Sequence, residues 1–178
     1  MTCAGSAEKG EQIMAMRVRV QKPTADAFRR YGKLVMVKPD RKPFVDNPNL
    51  TYWDKVVEFE PGITRTIGVM TVKKRPMVLV EMERHHKALE WFVPLAGASV
   101  ACFAECRDPD DPDETPEPQA VVAYLMENIA GFVVDRGVWH WPAFPMGETA
   151  VQLVDLRRDT ENDDVDTKKL PEPIEILL

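Results

Sequence analysis

The chain has little that would commit it to a partner by charge or by covalent framework. Acidic residues outnumber basic ones, 29 to 23, for a net charge of -6. No basic surplus is available for a phosphate backbone, so a nucleic-acid partner is excluded as the expectation. Cysteine is scarce: Cys3, Cys102 and Cys106 make an odd number, and a disulfide framework is not expected. Cys102 and Cys106 share strand parity and read as small buried thiols. No apolar run approaches the length of a membrane span. Residues 1–10 lack a basic segment followed by an apolar one, so no secretory signal is read and a cytoplasmic location is expected. Histidine is scarce too, with three in 178 residues. Two of them, His85 and His86, are adjacent, and the third is His140.

What is present is a series of short apolar segments with punctuation. Residues 1–15 are small, polar and without period, and read as a disordered leader, with Met14 or Met16 as a possible start. The domain is placed at 16–178. Residues 16–20 alternate as a strand does. Thr24 or Asp26 can cap a short helix over 25–31, with Gly32 as its stop. Further strands are expected at 33–38, 50–60, 63–73, 77–84, 89–95, 99–105, 119–126, 131–134 and 149–156. Residues 39–49 read as a loop, residues 157–169 as a polar tail, and 174–177 as a final edge strand. The acidic stretches 108–117 and 159–166 read as solvated, the first within a mobile loop over 108–118. About ten short strands at 8–12 residue spacing predict an all-β sandwich or barrel.

The chemistry-bearing residues concentrate in Glu83-Arg84-His85-His86-Lys87-Ala88-Leu89-Glu90. Alternation along a strand puts Glu83 and His85 on one face. Glu90 reaches the same place across a turn, and His140 arrives from a later hairpin. Glu83, His85, Glu90 and His140 form an N/O ligand set suited to an open Ni, Mn, Fe or Zn site. The spacing is similar to that of cupin double-stranded β-helices, which carry His-x-His, then Glu, then a later His. The same residues would also serve as the surface of a strand edge. Arg84 points away from Glu83 and His85 and reads as a structural ion-pair partner. Arg136 shares parity with His140 and is the candidate carboxylate clamp, since a guanidinium matches a carboxylate in a two-pronged fork. Trp91, Trp139 and Trp141 read as packing.

Four stretches, in order, resemble the ureidoglycolate lyase family. They are Arg17 to Val20 continuing to Ala27-Phe28 and Tyr31-Gly32, then Glu83-Arg84-His85, then Phe92-Val93-Pro94-Leu95, then Gly137-Val138-Trp139-His140 with Pro142. The resemblance implies a cupin-like jelly-roll barrel and a homodimer with a divalent metal such as nickel. It also implies cleavage of ureidoglycolate, a small carboxylate, to glyoxylate and urea in purine and allantoin breakdown. On it, Glu83, His85, Glu90 and His140 bind metal or substrate, Arg136 holds the carboxylate, and Lys87 or Asp135 moves protons. His85 and His140 are counted as catalytic with Lys87, Asp135 and Arg136. The alternatives are a metal-dependent cupin enzyme on another small carboxylate, or a binding domain without turnover. The chain departs from the family at His86, where proline is usual, at Glu90, where glutamine is usual, at Val134-Asp135, and at Trp141.

Overall fold

The computed structural model describes residues 16–37, 41–59 and 61–178. The leader expected over 1–15 lies outside the described residues. The chain forms β1 (Met16–Gln21), α1 (Ala25–Phe28), β2 (Gly32–Val35), β3 (Val45–Asn47), β4 (Leu50–Tyr52), β5 (Arg65–Lys73), β6 (Val78–Arg84) and β7 (Glu90–Ala96). It continues with β8 (Ser99–Ala104), β9 (Val122–Met126), β10 (Gly131–Val134), β11 (Trp139–Pro145), β12 (Thr149–Arg157), α2 (Thr160–Asp163) and β13 (Asp166–Leu177).

Six strands close a barrel in the order β1-β13-β6-β11-β8-β9. β1 closes it by pairing in parallel with both β13 and β9. A second sheet of five strands, β2-β10-β7-β12-β5, lies against it, and β3 and β4 make a separate hairpin. This is the all-β, cupin-like architecture expected.

The two-residue period of β8 shows how the layers are held. Val100, Cys102 and Ala104 join the cluster inside the barrel with Met82, Trp139, Phe144 and Ile174. Ala101 and Phe103 point the other way, into a cluster with Phe28, Phe92, Tyr124, Phe132 and Val154. A strand buried on both faces reads as a continuous apolar run. The second cluster joins barrel to sheet and is aromatic. Phe28 meets Phe103 edge-on at 5.2 Å, and Phe92 stacks on Phe132 at 4.8 Å. Each such pair contributes about 0.5–1.5 kcal/mol beyond area burial.

Several expectations need correction. The helix stops at Phe28 rather than Tyr31; Thr24 Oγ1 caps it by accepting from the Ala27 N–H at 3.1 Å. Tyr31 turns inward to pack against Phe28, and that packing ends the helix. The expected loop over 39–49 contains β3, and the strand expected over 50–60 is only β4. The polar tail is the largest error. β13 runs from Asp166, and it sits between β1 and β6 rather than at an edge. Its pairing with β6 shifts register between Lys169 and Ile174, where Pro171 and Pro173 fall. β11, not read as a strand, carries Pro142 and Pro145, and its pairing with β8 shifts between Trp141 and Phe144. Proline cannot donate to a ladder, so both strands survive only by bulging there.

Candidate metal centre

Met82 and Trp139 face the barrel interior, so by alternation Glu83 and His140 face the opposite way, towards the five-stranded sheet. They are cross-strand partners, paired directly between β6 and β11. His85 follows one step beyond the end of β6. Gly137 holds this end together: its N–H donates to the His85 carbonyl at 2.7 Å. It does so at φ +83°, and a Cβ there would lie 2.7 Å from Pro109 Cβ, so only glycine fits. From the sheet side, β7 begins with Glu90, which shares its face with Phe92 of the aromatic cluster.

Glu83, His85 and His140 each offer one ligand atom within 4.8 Å of the others. Glu90 Oε2 lies 2.8 Å from His140 Nε2 and 3.4 Å from His85 Nε2. His85, His140 and Glu90 are buried, and Glu83 is half-buried. Each imidazole is oriented through its other nitrogen. His85 Nδ1 lies 2.7 Å from the Asp164 carbonyl and His140 Nδ1 lies 2.9 Å from the Val138 carbonyl. A carbonyl only accepts, so both Nδ1 atoms carry the proton and both Nε2 atoms face the centre. Metal-binding histidines are held in this way.

The electrostatics agree. Burial alone would lower His85, but the Glu90 carboxylate 3.4 Å away, the Asp164 carbonyl and Glu83 outweigh it and push His85 up to about 9. Burial would raise Glu90, but His140 and His85 hold it down to about 2. Burial raises Glu83, with the Glu90 charge adding to it against the pull of both histidines. His140 Nε2 and Glu90 Oε2 face each other off the line that a hydrogen bond needs, and among the described residues both remain buried without a bonded partner. Two oriented imidazoles and the Glu83 carboxylate, with His140 Nε2 buried and unbonded among them, fit a divalent cation.

The centre opens into a cleft of about 300 Å³. Met70 of β5 and Val154 and Leu156 of β12 give it an apolar wall. Thr160, Glu161 and Val165 of the β12–β13 connection form its rim. Arg84 points away, as expected, and is fully buried. It pairs with Asp166 at 3.0 Å and Glu114 at 3.2 Å, and its guanidinium lies 4.4 Å from the Trp139 ring centre. It also donates to the carbonyls of Asp108 and Asp111. The stretch 108–118, expected to be mobile and solvated, is therefore pinned to the core through Arg84 and the buried Glu114.

Not every expected site residue reaches this cleft. Lys87, Asp135 and Arg136 line a different cleft of about 260 Å³, together with Arg65. There Lys87 pairs with Asp163 at 2.7 Å, and the half-exposed Arg136 lies 3.8 Å from Asp110. Parity linked Arg136 to His140, but the positive-φ turn at Gly137 lies between them and breaks the alternation.

The motifs that build this centre lie within a longer match. The sequence profile of the ureidoglycolate lyase family covers residues 15–177. The chain belongs to the ureidoglycolate lyase family. A ureidoglycolate lyase of Schizosaccharomyces pombe (strain 972 / ATCC 24843) is 23% identical over 185 residues, spanning 92% of this chain and 97% of that protein. A solved dTDP sugar isomerase from Desulfovibrio desulfuricans G20 is 14% identical with a TM-score of 0.37, over 79% of this chain and 82% of that one. That last likeness is too distant to bear on the site.

The departures from the ureidoglycolate lyase pattern have structural consequences. Val134 is 1% exposed in the aromatic cluster. Trp141 joins the packing around the barrel cluster. Glu90 gives the centre a charge that glutamine would not. The His86 N–H donates to Asp164 Oδ1 at 2.6 Å, a bond proline could not make. Sequence reading missed Asp164, Thr160 and Glu161. They sit in a run of acids that looks solvated, and nothing in that run distinguishes the buried Asp164 from the exposed Asp163.

Among the described residues, no helix is long and apolar enough to cross a membrane.

Proposed function

We propose that this chain cleaves ureidoglycolate to glyoxylate and urea, using a divalent metal at Glu83, His85 and His140. The observation that carries the reading is the convergence of these three ligand atoms at a cleft, in a chain of the ureidoglycolate lyase family. Nickel is the first ion to test, with manganese and zinc beside it.

The reaction removes the hydroxyl proton of a carbinolamide, breaks the C–N bond and places a proton on the departing nitrogen. A divalent ion bound there supplies a Lewis acid for the substrate's oxygens. His85 and His140 keep their Nδ1 protons on backbone carbonyls and present Nε2 inward. Glu90 Oε2 is the buried acceptor nearest that point. Glu90 takes the hydroxyl proton at Oε2 and returns it to the leaving nitrogen. The apolar wall of Met70, Val154 and Leu156 keeps bulk water from competing.

A second reading rests on one observation. The described residues lining this cleft include no Arg or Lys. A substrate carboxylate has no guanidinium to meet there, which favours a less anionic small molecule as the ligand, bound with or without turnover. We further propose that the protein works in the cytoplasm as a homodimer, and a monomeric mass in solution would remove the dimer.

The test is glyoxylate release from ureidoglycolate by chelator-treated protein, with Ni, Mn or Zn restored singly. Metal-dependent release supports the lyase reading. Folded, metal-loaded protein that releases none overturns it and leaves the second reading.

A further inference from the structure

The side chain of Asp164 is fully buried, yet it lies in a stretch with every appearance of a solvated acidic loop. Three of its contacts converge on one short turn. Oδ1 accepts from the His86 N–H at 2.6 Å and from the Lys87 N–H at 2.8 Å. Its own carbonyl accepts from His85 Nδ1 at 2.7 Å. Three consecutive residues, 85 to 87, are thus held by one aspartate 77 to 79 residues further along the chain. Among the described residues Oδ2 has no hydrogen-bond partner; Arg157 Nε stands 3.9 Å away, too far for a bond.

A buried carboxylate is costly to desolvate, and a core packed with apolar side chains would not need one. Here it satisfies two backbone donors that a tight turn leaves without partners. In doing so it sets the position of its own carbonyl, which faces the imidazole. The turn and the carbonyl belong to different connections, β6–β7 and β12–β13, so no local element holds them in register.

We propose that Asp164 is the positioning residue for His85. Its carboxylate locks the β6–β7 turn, and its carbonyl locks the Nδ1 proton so that Nε2 faces the centre. The α2 connection, which forms the cleft rim, is thereby tied to the ligand geometry. The inference concerns the ring and the turn, and stands whether or not ureidoglycolate is the substrate.

The test compares Asp164→Ala with Asp164→Asn. Asparagine keeps an oxygen that can accept both N–H groups; alanine does not. In nitrogen–proton spectra of the metal-free protein, the His85 Nδ1–H signal should persist in the Asn variant and exchange away in the Ala variant. Nickel or zinc affinity should fall about 10–100-fold in the Ala variant, the usual cost of losing such a supporting partner, and be largely restored by Asn. An Ala variant that keeps the ring signal overturns the inference, as does an Asn variant as impaired as Ala. If the Ala variant does not fold, hydrogen exchange in the unsubstituted protein decides. His86 and Lys87 amides that exchange slowly support the lock, and fast exchange overturns it. Failure of the metal reading is distinct, because it shows as no metal uptake by the unsubstituted protein.

Discussion

Glu90 Oε2 and His140 Nε2 lie 2.8 Å apart, brought together from the two sheets. With His85 they form a buried cluster in the metal-free protein. Glu90 sits near 2, below its ordinary 4.5, so its contribution to stability is present above 4.5 and lost as pH falls through about 2. His85 sits near 9, above its ordinary 6.5, so its contribution is present below 6.5 and lost as pH rises through about 9. Thermal unfolding of chelator-treated protein should therefore show a stability plateau between the two ordinary values. Glu90→Gln should flatten both limbs. A variant with unchanged limbs would show that the pair is not formed.

Gly137, just before β11, ties the His85 backbone to the strand that carries His140. Gly137→Ala places a Cβ 2.7 Å from Pro109 at a positive φ. Strain of this kind costs about 1–3 kcal/mol. Urea unfolding should show that loss. Metal affinity should also fall, because the N–H that holds the His85 carbonyl moves.

Arg84 neutralises Glu114 and Asp166 inside the protein. Arg84→Met leaves the buried Glu114 without its cation and Asp166 with only Lys168 at 3.3 Å, and breaking a buried pair costs about 3–5 kcal/mol. The loss should be greatest at neutral pH. Burial would raise Glu114, but the N–H groups of Arg107 and Asp108, the Cys106 thiol and Arg84 together hold its carboxyl below the usual carboxylate range. Its contribution is present above 4.5 and lost as pH falls. Denaturant midpoints at pH 7 and pH 4 should bring Arg84→Met and the unsubstituted protein closer together in acid.

Arg136 and Lys87 line a different cleft from the metal ligands. Arg136→Ala should leave metal affinity unchanged in calorimetric titration. His140→Ala should abolish that binding while circular dichroism still shows a folded β protein. Equal losses in both variants would place Arg136 at the centre after all.

The sequence by itself determined the class of fold and the nucleus of the site. Short apolar segments between turn residues can bury one face only by pairing into sheets, and the two-residue period forces Glu83 and Arg84 to opposite sides of β6. The paired acid and imidazole at 83 and 85, with His140 in its own motif, were therefore legible before any coordinates. Their neighbours were not. Parity holds only along an unbroken strand, and the turn at Gly137 separated Arg136 from His140 where alternation had joined them. Prolines hid β11 and the middle of β13, because a bulge that accommodates them leaves no local signature, and polarity hid the start of β13. Asp164 and Glu114 were indistinguishable from the exposed acids beside them. Burial of a carboxylate is decided by the donors that meet it in space, here the N–H groups of His86 and Lys87 for one and the Arg84 guanidinium for the other, and only the tertiary structure brings those donors together.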